Sequence, residues 1–258
     1  MTEQENNITI WSDKILQTLL EYRTKEPNLK FWLRQRNTNN RLDDGLWFNG
    51  NNDYIHIGFS KLGAGNLSTQ SIGFVIDLGD AAQIESRIEI TFRDEKDKDI
   101  LACYNRMVEE IEGIIKVNEK QYFKSYVSKN PLQNLEEFLT VQKPQIDSII
   151  KQMGLEDKMN IPEETFEKSL KKIIKKRDDK QLLQSIQWLK SLGTLGLVVG
   201  VLGQLIGLFS AFSVIETSQG ISPTMLASGL KVSMITTLYG LIIYITYILF
   251  SMILKRVK

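Results

Sequence analysis

The 258-residue chain has little of the chemistry that marks a catalytic or metal-binding protein. It contains one cysteine, Cys103, and one histidine, His56. A single cysteine excludes an internal disulfide and fits a reducing compartment. His56 has no neighbouring nucleophile or ligand cluster in the sequence, and its position opposite the isoleucines of Tyr54-Ile55-His56-Ile57 favours a solvated or hydrogen-bonded side chain. We therefore expect no enzymatic activity, no cofactor and no metal site.

Charge is absent from two long segments near the end of the chain. Thr194–Ile215 and Val232–Leu254 contain 22 and 23 residues without a charged side chain. As helices they measure about 33 and 34 Å at 1.5 Å per residue, which spans the hydrocarbon core of a bilayer. The sequence therefore predicts a membrane hairpin. Together with its flanking residues we assign it to a domain at 193–258.

The distribution of positive charge predicts the topology of this hairpin. The start MTEQENNITIW lacks a basic segment followed by an apolar one, so we expect no cleavable signal peptide. Basic residues lie before the first span and after the second, whereas the connector offers only Lys231. The flanking set is Lys168, Lys171, Lys172, Lys175, Lys176, Arg177, Lys180, Lys190, Lys255, Arg256 and Lys258. The positive-inside rule then predicts a multi-pass membrane protein with both termini in the cytoplasm.

Residues 1–150 have the pattern of a cytoplasmic α+β domain. Apolar residues at spacings of three to four predict a helix over 7–24, and the same periodicity returns from about 96 to 117. Between them, turn-rich segments separate four apolar or alternating stretches. These stretches are GLWFN, DYIHIGFS, SIGFVIDL and SRIEITF. They predict a small antiparallel sheet, and we assign the domain a sensor or coupling role.

Two features of this domain could indicate a ligand. The loop KLGAGNLSTQ resembles a phosphate cradle but lacks the Gly-Lys-Ser/Thr ending, so a long hairpin loop is the better interpretation. The second is a group of arginines and aromatic residues that could stack and pair with a nucleic acid. The group comprises Phe31, Trp32, Arg34, Arg36, Arg41, Trp47 and Phe48. Acidic neighbours Asp43 and Asp44 favour a solvated surface around a buried tryptophan instead.

Residues 151–192 are predicted to form a linker and an amphipathic cytoplasmic helix. The helix begins with the start signal Asn160-x-Pro162-Glu163. One stripe of the helix comprises Phe166, Leu170, Ile173, Ile174, Leu182, Ile186 and Leu189. Two interpretations remain open: a membrane-surface helix that binds anionic lipid through its lysines, or a helix that continues into the first span and packs its stripe against copies of itself.

The first span has a glycine pattern that is typical of close helix packing. Gly196 and Gly200, and again Gly203 and Gly207, have the small-xxx-small spacing that lets another helix approach. Gln204 lies in the same span, where an amide must bond across helices or face water. The second span contains the adjacent hydroxyls of Thr236 and Thr237, which need partners in hydrocarbon.

The segments GVLGQLIGLFSAF (200–212) and ISPTMLASGLKVSMITTLYGL (221–241) resemble the two-helix core of the MotA/TolQ/ExbB proton-channel family. The resemblance covers about residues 190–258. The matching positions are Gly200, Gly203, Gly207, Ala211, Phe212, Pro223, Leu226, Ala227, Gly229, Leu230, Thr236, Thr237, Gly240 and Leu241. Gln204 replaces the family's threonine, and Val232, beside Lys231, replaces a glutamate that TolQ-like and ExbB-like members often carry. The first, peripheral helix of ExbB is also missing, and the α+β domain takes its place.

The resemblance implies a stator-like assembly in the bacterial inner membrane. It implies a pentameric ring of this chain around single-span partners of the MotB/TolR/ExbD type, each carrying a membrane aspartate. The sequence of the spans also indicates that a partner is needed to bind protons, because neither span contains a carboxylate or histidine. With the resemblance, Gln204, Thr236 and Thr237 are predicted to line the pore or face the partner. Gly196, Gly200, Gly203, Gly207, Gly229 and Gly240 are predicted to pack the helices.

Three functions follow as hypotheses. The leading one is a proton-channel or stator-like subunit that couples ion flow to partner motion or effector action, with phage defence as one process it could serve. The first alternative is a membrane-anchored signalling protein whose hairpin only anchors and oligomerises it. The second is a tethered enzyme or nucleic-acid-sensing effector. A polar seam of Gln204, Thr236 and Thr237 on one axis distinguishes a channel from an anchor.

Overall fold

The computed structural model describes residues 3–61, 70–79, 84–93, 95–217 and 223–256. The chain divides into two compact units, Met1–Arg177 and Asp178–Lys258. The division lies inside the segment 151–192 that the sequence assigns to a linker and helix. The predicted fold class is confirmed: an antiparallel sheet region with helices precedes a long helix and a C-terminal helix.

The described part of the first unit contains one antiparallel sheet with the strand order β1-β2-β3-β4-β6-β5. The strands are β1 Asn49–Gly50, β2 Tyr54–Gly58, β3 Gln70–Asp77, β4 Glu85–Phe92, β5 Ile115–Asn118 and β6 Gln121–Ser125. Its helices are α1 Glu3–Lys25, α2 Arg41–Asp44, α3 Lys98–Glu110, α4 Pro131–Glu137, α5 Lys143–Gln152 and α6 Glu156–Met159. A 3-10 turn, Thr38–Asn40, precedes α2, and a π-helical segment, Phe138–Gln142, joins α4 to α5.

One face of the sheet is apolar and packs against the helices. Isoleucine and phenylalanine side chains of β2, β3 and β4 alternate onto this face, as period-two patterning requires. Phe138 of the π-helical segment lies against Phe74, with ring centroids 5.6 Å apart. Phe92 stacks with Tyr104 of α3 at 5.5 Å. The opposite face carries His56, Arg87 and Glu89.

Two sequence predictions in this unit were wrong. The helix predicted to Val117 ends at Glu110, and Ile115–Asn118 is instead the edge strand β5. Gly113, with φ +84°, turns the chain between them, a conformation that glycine adopts without steric cost. Of the predicted strand GLWFN only Asn49 pairs in the sheet, and Leu46, Trp47 and Phe48 are all buried in the core without strand pairing.

Helix α7, Glu163–Thr217, begins in the first unit. Phe166, Leu170 and Ile173 are buried in the hydrophobic core of that unit, and Phe166 meets Phe31 edge-on at 5.2 Å. This part of the predicted stripe therefore packs on the α+β domain, and neither lipid nor a second copy covers it.

The second unit consists of residues 178–217 of α7 and of α8, Pro223–Arg256. Within the described residues, Glu156–Glu216 and Ala227–Leu254 contain the two helical stretches that are long and apolar enough to cross a membrane. Only 6% and 11% of their most apolar windows are buried inside the chain, whereas a core helix of a soluble protein would be mostly buried. Their apolar surface is left for lipid or other chains.

Candidate functional site

The two apolar helices pack antiparallel along a line of glycines on α7. Gly193 lies against Tyr247, Gly196 against Ile243 and Gly207 against Ser233. A Cβ atom added at any of these glycines would come within 3.0 Å of the facing side chain. The small residues are therefore what allows α8 to approach, and the face that they form is covered by the same chain.

The backbones meet where two glycines face each other. A Cβ on Gly200 would lie 2.7 Å from the Thr236 carbonyl oxygen, and one on Gly240 would lie 2.7 Å from the Gly196 carbonyl oxygen. Gly203 packs on the Thr236 side chain, where an added Cβ would be 3.0 Å away. Gly229 is looser, because its added Cβ would meet Ala211 at an ordinary 3.7 Å.

This close approach creates a polar cluster at the centre of the apolar hairpin. The Thr236 and Thr237 hydroxyls each lie 3.2 Å from the Gly200 carbonyl oxygen and donate toward it. Each hydroxyl has one hydrogen and a second, closer acceptor: Gln204 Oε1 at 2.5 Å for Thr237, and the Ser233 carbonyl oxygen at 2.9 Å for Thr236. The structure therefore brings the three predicted polar residues together around the backbone carbonyl of Gly200.

The bonding of Thr237 differs from that of other hydroxyls in the same helices. Thr246 donates to the Ile242 carbonyl oxygen at 2.8 Å, and Thr194 donates to that of Lys190 at 2.9 Å, both four residues earlier. Such local bonds are the usual arrangement for threonine in a membrane helix. Thr237 instead makes its hydrogen bonds across to α7. A hydroxyl that reaches across helices responds to their separation, which a locally bonded hydroxyl does not.

The amide nitrogen of Gln204 is the remaining donor of the cluster. Its Oε1 is engaged by Thr237, whereas no hydrogen bond from its nitrogen to a described residue is present. The side chain is half-buried in the hairpin and Thr236 is exposed. The cluster can thus donate to and accept from a group outside the chain, but it contains no side chain that titrates near neutral pH.

Of the two environments expected for His56, solvated or hydrogen-bonded, the structure shows the hydrogen-bonded one. His56 is buried, with its ring lying over Gly73, where an added Cβ would be 2.5 Å from Nε2. Nε2 lies 3.3 Å from Ser71 Oγ, and Nδ1 has no hydrogen-bond partner in the described structure. Burial lowers the pKa of His56 below its usual value, and the nearby Glu89 carboxylate partly opposes that shift.

The aromatic residues of the candidate nucleic-acid group are not available for stacking. Phe31, Trp32, Trp47 and Phe48 are buried, so they cannot stack with bases. Within the described residues no group of three or more histidine, cysteine or acidic side chains could hold a metal ion. Most of the loop KLGAGNLSTQ, residues 62–69, lies outside the described part of the chain.

The hairpin thus combines a glycine-lined helix contact with a partly exposed polar cluster. Residues 141–258 match the MotA/TolQ/ExbB proton channel family. The match covers just under half of the chain and begins well before the segment on which the sequence resemblance rests. No curated protein and no solved structure matches the chain. The family supports a membrane protein with an ion-channel role, and it leaves the N-terminal domain unrecognised.

Sequence reasoning identified the polar residues of the hairpin but missed their common acceptor. The carbonyl of Gly200 accepts both threonine hydroxyls because no side chain at this position shields it. Aligning the two spans antiparallel by their small residues, Gly200 against Gly240, would have put both threonines level with it. The exchange of the family's threonine for Gln204 fits the same arrangement, since the longer amide reaches Thr237 across the contact.

Proposed function

We propose that this chain is a proton-channel or stator-like subunit of the inner membrane, which forms an oligomeric ring around a single-span partner. Ion flow through this assembly would be coupled to movement of the partner, and that movement would drive an effector process such as phage defence. The N-terminal unit would act as the sensor or coupling element. Both termini would lie in the cytoplasm.

The observation that carries the proposal is the polar cluster of Gln204, Thr236 and Thr237. In a hairpin whose spans contain no carboxylate or histidine, this cluster can orient water or bind a carboxylate but cannot exchange a proton itself. A proton carrier must therefore come from another chain. The free amide hydrogens of Gln204 are suited to a carboxylate acceptor, because hydrogen bonds to an ionised acceptor are stronger than neutral ones.

The exposed apolar surface of the hairpin supports assembly. Large side chains such as Phe209, Leu238 and Ile242 are more than half exposed, at 74%, 56% and 58%. Lipid can cover such a surface, and so can further copies of the hairpin. The small-residue face of α7 is already occupied by α8, so contacts between copies would use these larger side chains.

Native mass spectrometry of the complex, purified from its host in mild detergent, tests the assembly. Five copies of the chain with a smaller single-span protein are expected. A monomer or dimer without a second protein contradicts the ring. The sequence of the co-purified protein then shows whether it brings a carboxylate into the membrane.

Ion transport by the purified complex tests the role of the cluster. In proteoliposomes with an imposed membrane potential, Thr237→Val is expected to reduce ion flux at least about tenfold, because the variant keeps the shape and removes the hydroxyl. Thr246→Val is the matched control, since Thr246 bonds only within its own helix turn. Equal flux in the two variants contradicts the assignment of Thr237 to the ion path.

The alternative, a hairpin that anchors and oligomerises a signalling protein, has one observation in its favour. Both threonine hydroxyls find acceptors in the same chain, so neither needs a pore or a partner for its hydrogen bond. Under this alternative, Thr237→Val weakens the hairpin while a complex purified from cells conducts no ions. Flux through the unmodified complex separates the two functions.

A further inference from the structure

The second unit carries two isolated charges of opposite sign. Between Lys190 and Lys255 the sequence contains two charged residues, Glu216 and Lys231. Both side chains are exposed, and neither forms a salt bridge or a side-chain hydrogen bond within the described part of the chain. Lys231 lies inside the apolar stretch Ala227–Leu254. A charge in such a stretch is costly in hydrocarbon unless it reaches water or an opposite charge, so it needs a partner outside its own chain.

The two charges lie near the same end of the hairpin, at different depths. Ser233 faces Gly207, so Lys231, two positions earlier in an antiparallel helix, lies level with about position 209 of α7. Glu216 follows about seven residues later, which is about 10 Å at 1.5 Å per residue. Side chains of a helix lean toward its N-terminus. Lys231 therefore leans toward the end where Glu216 lies, and Glu216 leans back toward the level of Lys231.

The two charges also lie on outward faces of the hairpin. Ser233 is in contact with α7, and a helix turns by about 100° per residue, so Lys231 lies about 200° around α8 from this contact. Glu216 is about two and a half turns beyond Gly207 and so lies on the side of α7 that faces away from α8. The hairpin thus presents a cation on one side and an anion on the opposite side.

We propose that Glu216 of one copy pairs with Lys231 of the next copy in the membrane assembly. A contact that joins two different surfaces of the same chain is heterologous, and its repetition around an axis closes a ring. The inference rests on the oligomeric ring proposed above and adds a specific contact between neighbours, α7 of one copy against α8 of the next. Glu216 lies in the last turn of α7, where the helix dipole disfavours a negative charge, and the neighbour's lysine offsets this.

Cross-linking of two co-expressed variants tests the pairing directly. One chain carries Lys231→Gln and keeps Glu216, and the other carries Glu216→Gln and keeps Lys231. A carbodiimide that enters the bilayer activates the carboxylate, the adjacent lysine amine forms an amide with it, and the carbodiimide leaves as its urea. A linked peptide containing Glu216 and Lys231 is expected by mass spectrometry of the co-expressed complex. Neither variant alone can produce this product, so it reports a contact between copies.

Charge exchange measures what the pair contributes to assembly. Lys231→Glu and Glu216→Lys each place two like charges at the contact. Each is therefore expected to reduce the share of the chain recovered as oligomer in native mass spectrometry by at least about half. The chain with both substitutions exchanges the two charges and is expected to recover the oligomer.

The outcomes separate the pairing from the ring itself. An intact oligomer without the cross-link, or one that the single charge reversals weaken no more than the double exchange does, overturns the pairing and leaves the ring unaffected. Lipid headgroups as the partners of the two charges would give this result. A chain that is monomeric without any substitution overturns the ring and the pairing together.

Discussion

The two units of this chain reach stability by different physical routes. The N-terminal unit buries large aromatic and aliphatic side chains between a sheet and helices, and Phe31, Phe74, Phe138 and Trp47 are among its most buried residues. The membrane unit buries almost no large side chain within itself. Its helices meet at glycine backbones, and Gln204, Ser233 and Thr237 lie at the contact. Apolar burial drives folding in water, whereas close backbone packing and hydrogen bonds hold helices together in lipid.

The family match crosses this division. It starts at residue 141, in the π-helical segment of the first unit, and so includes α5, α6 and the beginning of α7. These elements supply Ile146, Ile149, Ile150 and Phe166 to the core of the N-terminal unit. The sheet is thus packed against helices that belong to the channel-like part of the sequence. A change in the sheet can therefore affect the matched region through a shared core.

The largest effect is expected at Phe138. Its ring lies 4.9 Å from that of Phe59 and 5.6 Å from that of Phe74, and it is fully buried. Phe138→Ala should lower the free energy of unfolding of the N-terminal unit by about 3–5 kcal/mol, because it leaves a cavity between sheet and helices. Denaturant titration followed by tryptophan fluorescence measures it. Val127→Ala, at a side chain that is 99% exposed, should change stability by less than about 0.5 kcal/mol.

Sequence patterns predicted what local periodicity controls and missed what tertiary contacts decide. The helix 7–24, strands β2 to β4 and both apolar spans follow from spacing and hydropathy. The strand β5 was missed because Ile115 and Val117 continue the helical spacing, and only the positive φ of Gly113 breaks it. In the hairpin, residue types indicated a polar site, but the common acceptor depends on how α7 and α8 align.

A smaller loss of stability is expected when a side chain is added at the contact between the membrane helices. Gly200→Ala puts a Cβ 2.7 Å from the Thr236 carbonyl oxygen, so the helices must separate. We expect about 1–3 kcal/mol of destabilisation, measured by thermal unfolding of the helices in detergent by circular dichroism. Gly229→Ala is the control, because its Cβ has ordinary space and alanine favours helix by up to about 1 kcal/mol. Equal losses in both variants would mean that the glycine face does not set the approach.

Between about pH 5 and pH 7.5, the pH dependence of stability of the first unit should come mainly from its single histidine. Because burial lowers the pKa of His56 in the folded state, the unfolded chain takes up a proton first as the pH falls. The free energy of unfolding is therefore not reduced by His56 above the unfolded pKa of about 6.5. Below that pH it falls by at most about 1.4 kcal/mol per pH unit.

Denaturant titrations between about pH 5 and pH 7.5 measure this slope. His56→Gln should flatten it relative to the unmodified chain, whatever its effect on absolute stability. A slope unchanged by the substitution would assign the dependence to carboxylates instead. The transition that reports the membrane helices should show no such dependence, since the spans carry no histidine or acid.

The smallest expected effect concerns an ion pair on the segment of α7 that belongs to the first unit. Arg177 donates to both Asp13 oxygens, at 2.8 and 3.2 Å, and the Trp47 indole donates to the same carboxylate at 3.1 Å. Asp13→Asn keeps an acceptor for the indole and removes the charge. The side chains are 39% and 20% exposed, so solvent screens the pair and the loss should be about 0.2–1 kcal/mol. Added salt should reduce the difference between the variant and the unmodified chain, whereas the deficit of Phe138→Ala should not shrink. A salt-independent loss of several kcal/mol in Asp13→Asn would show that the ion pair is shielded from solvent. The ion pair would then stabilise the packing of α7 on the first unit together with the buried apolar stripe.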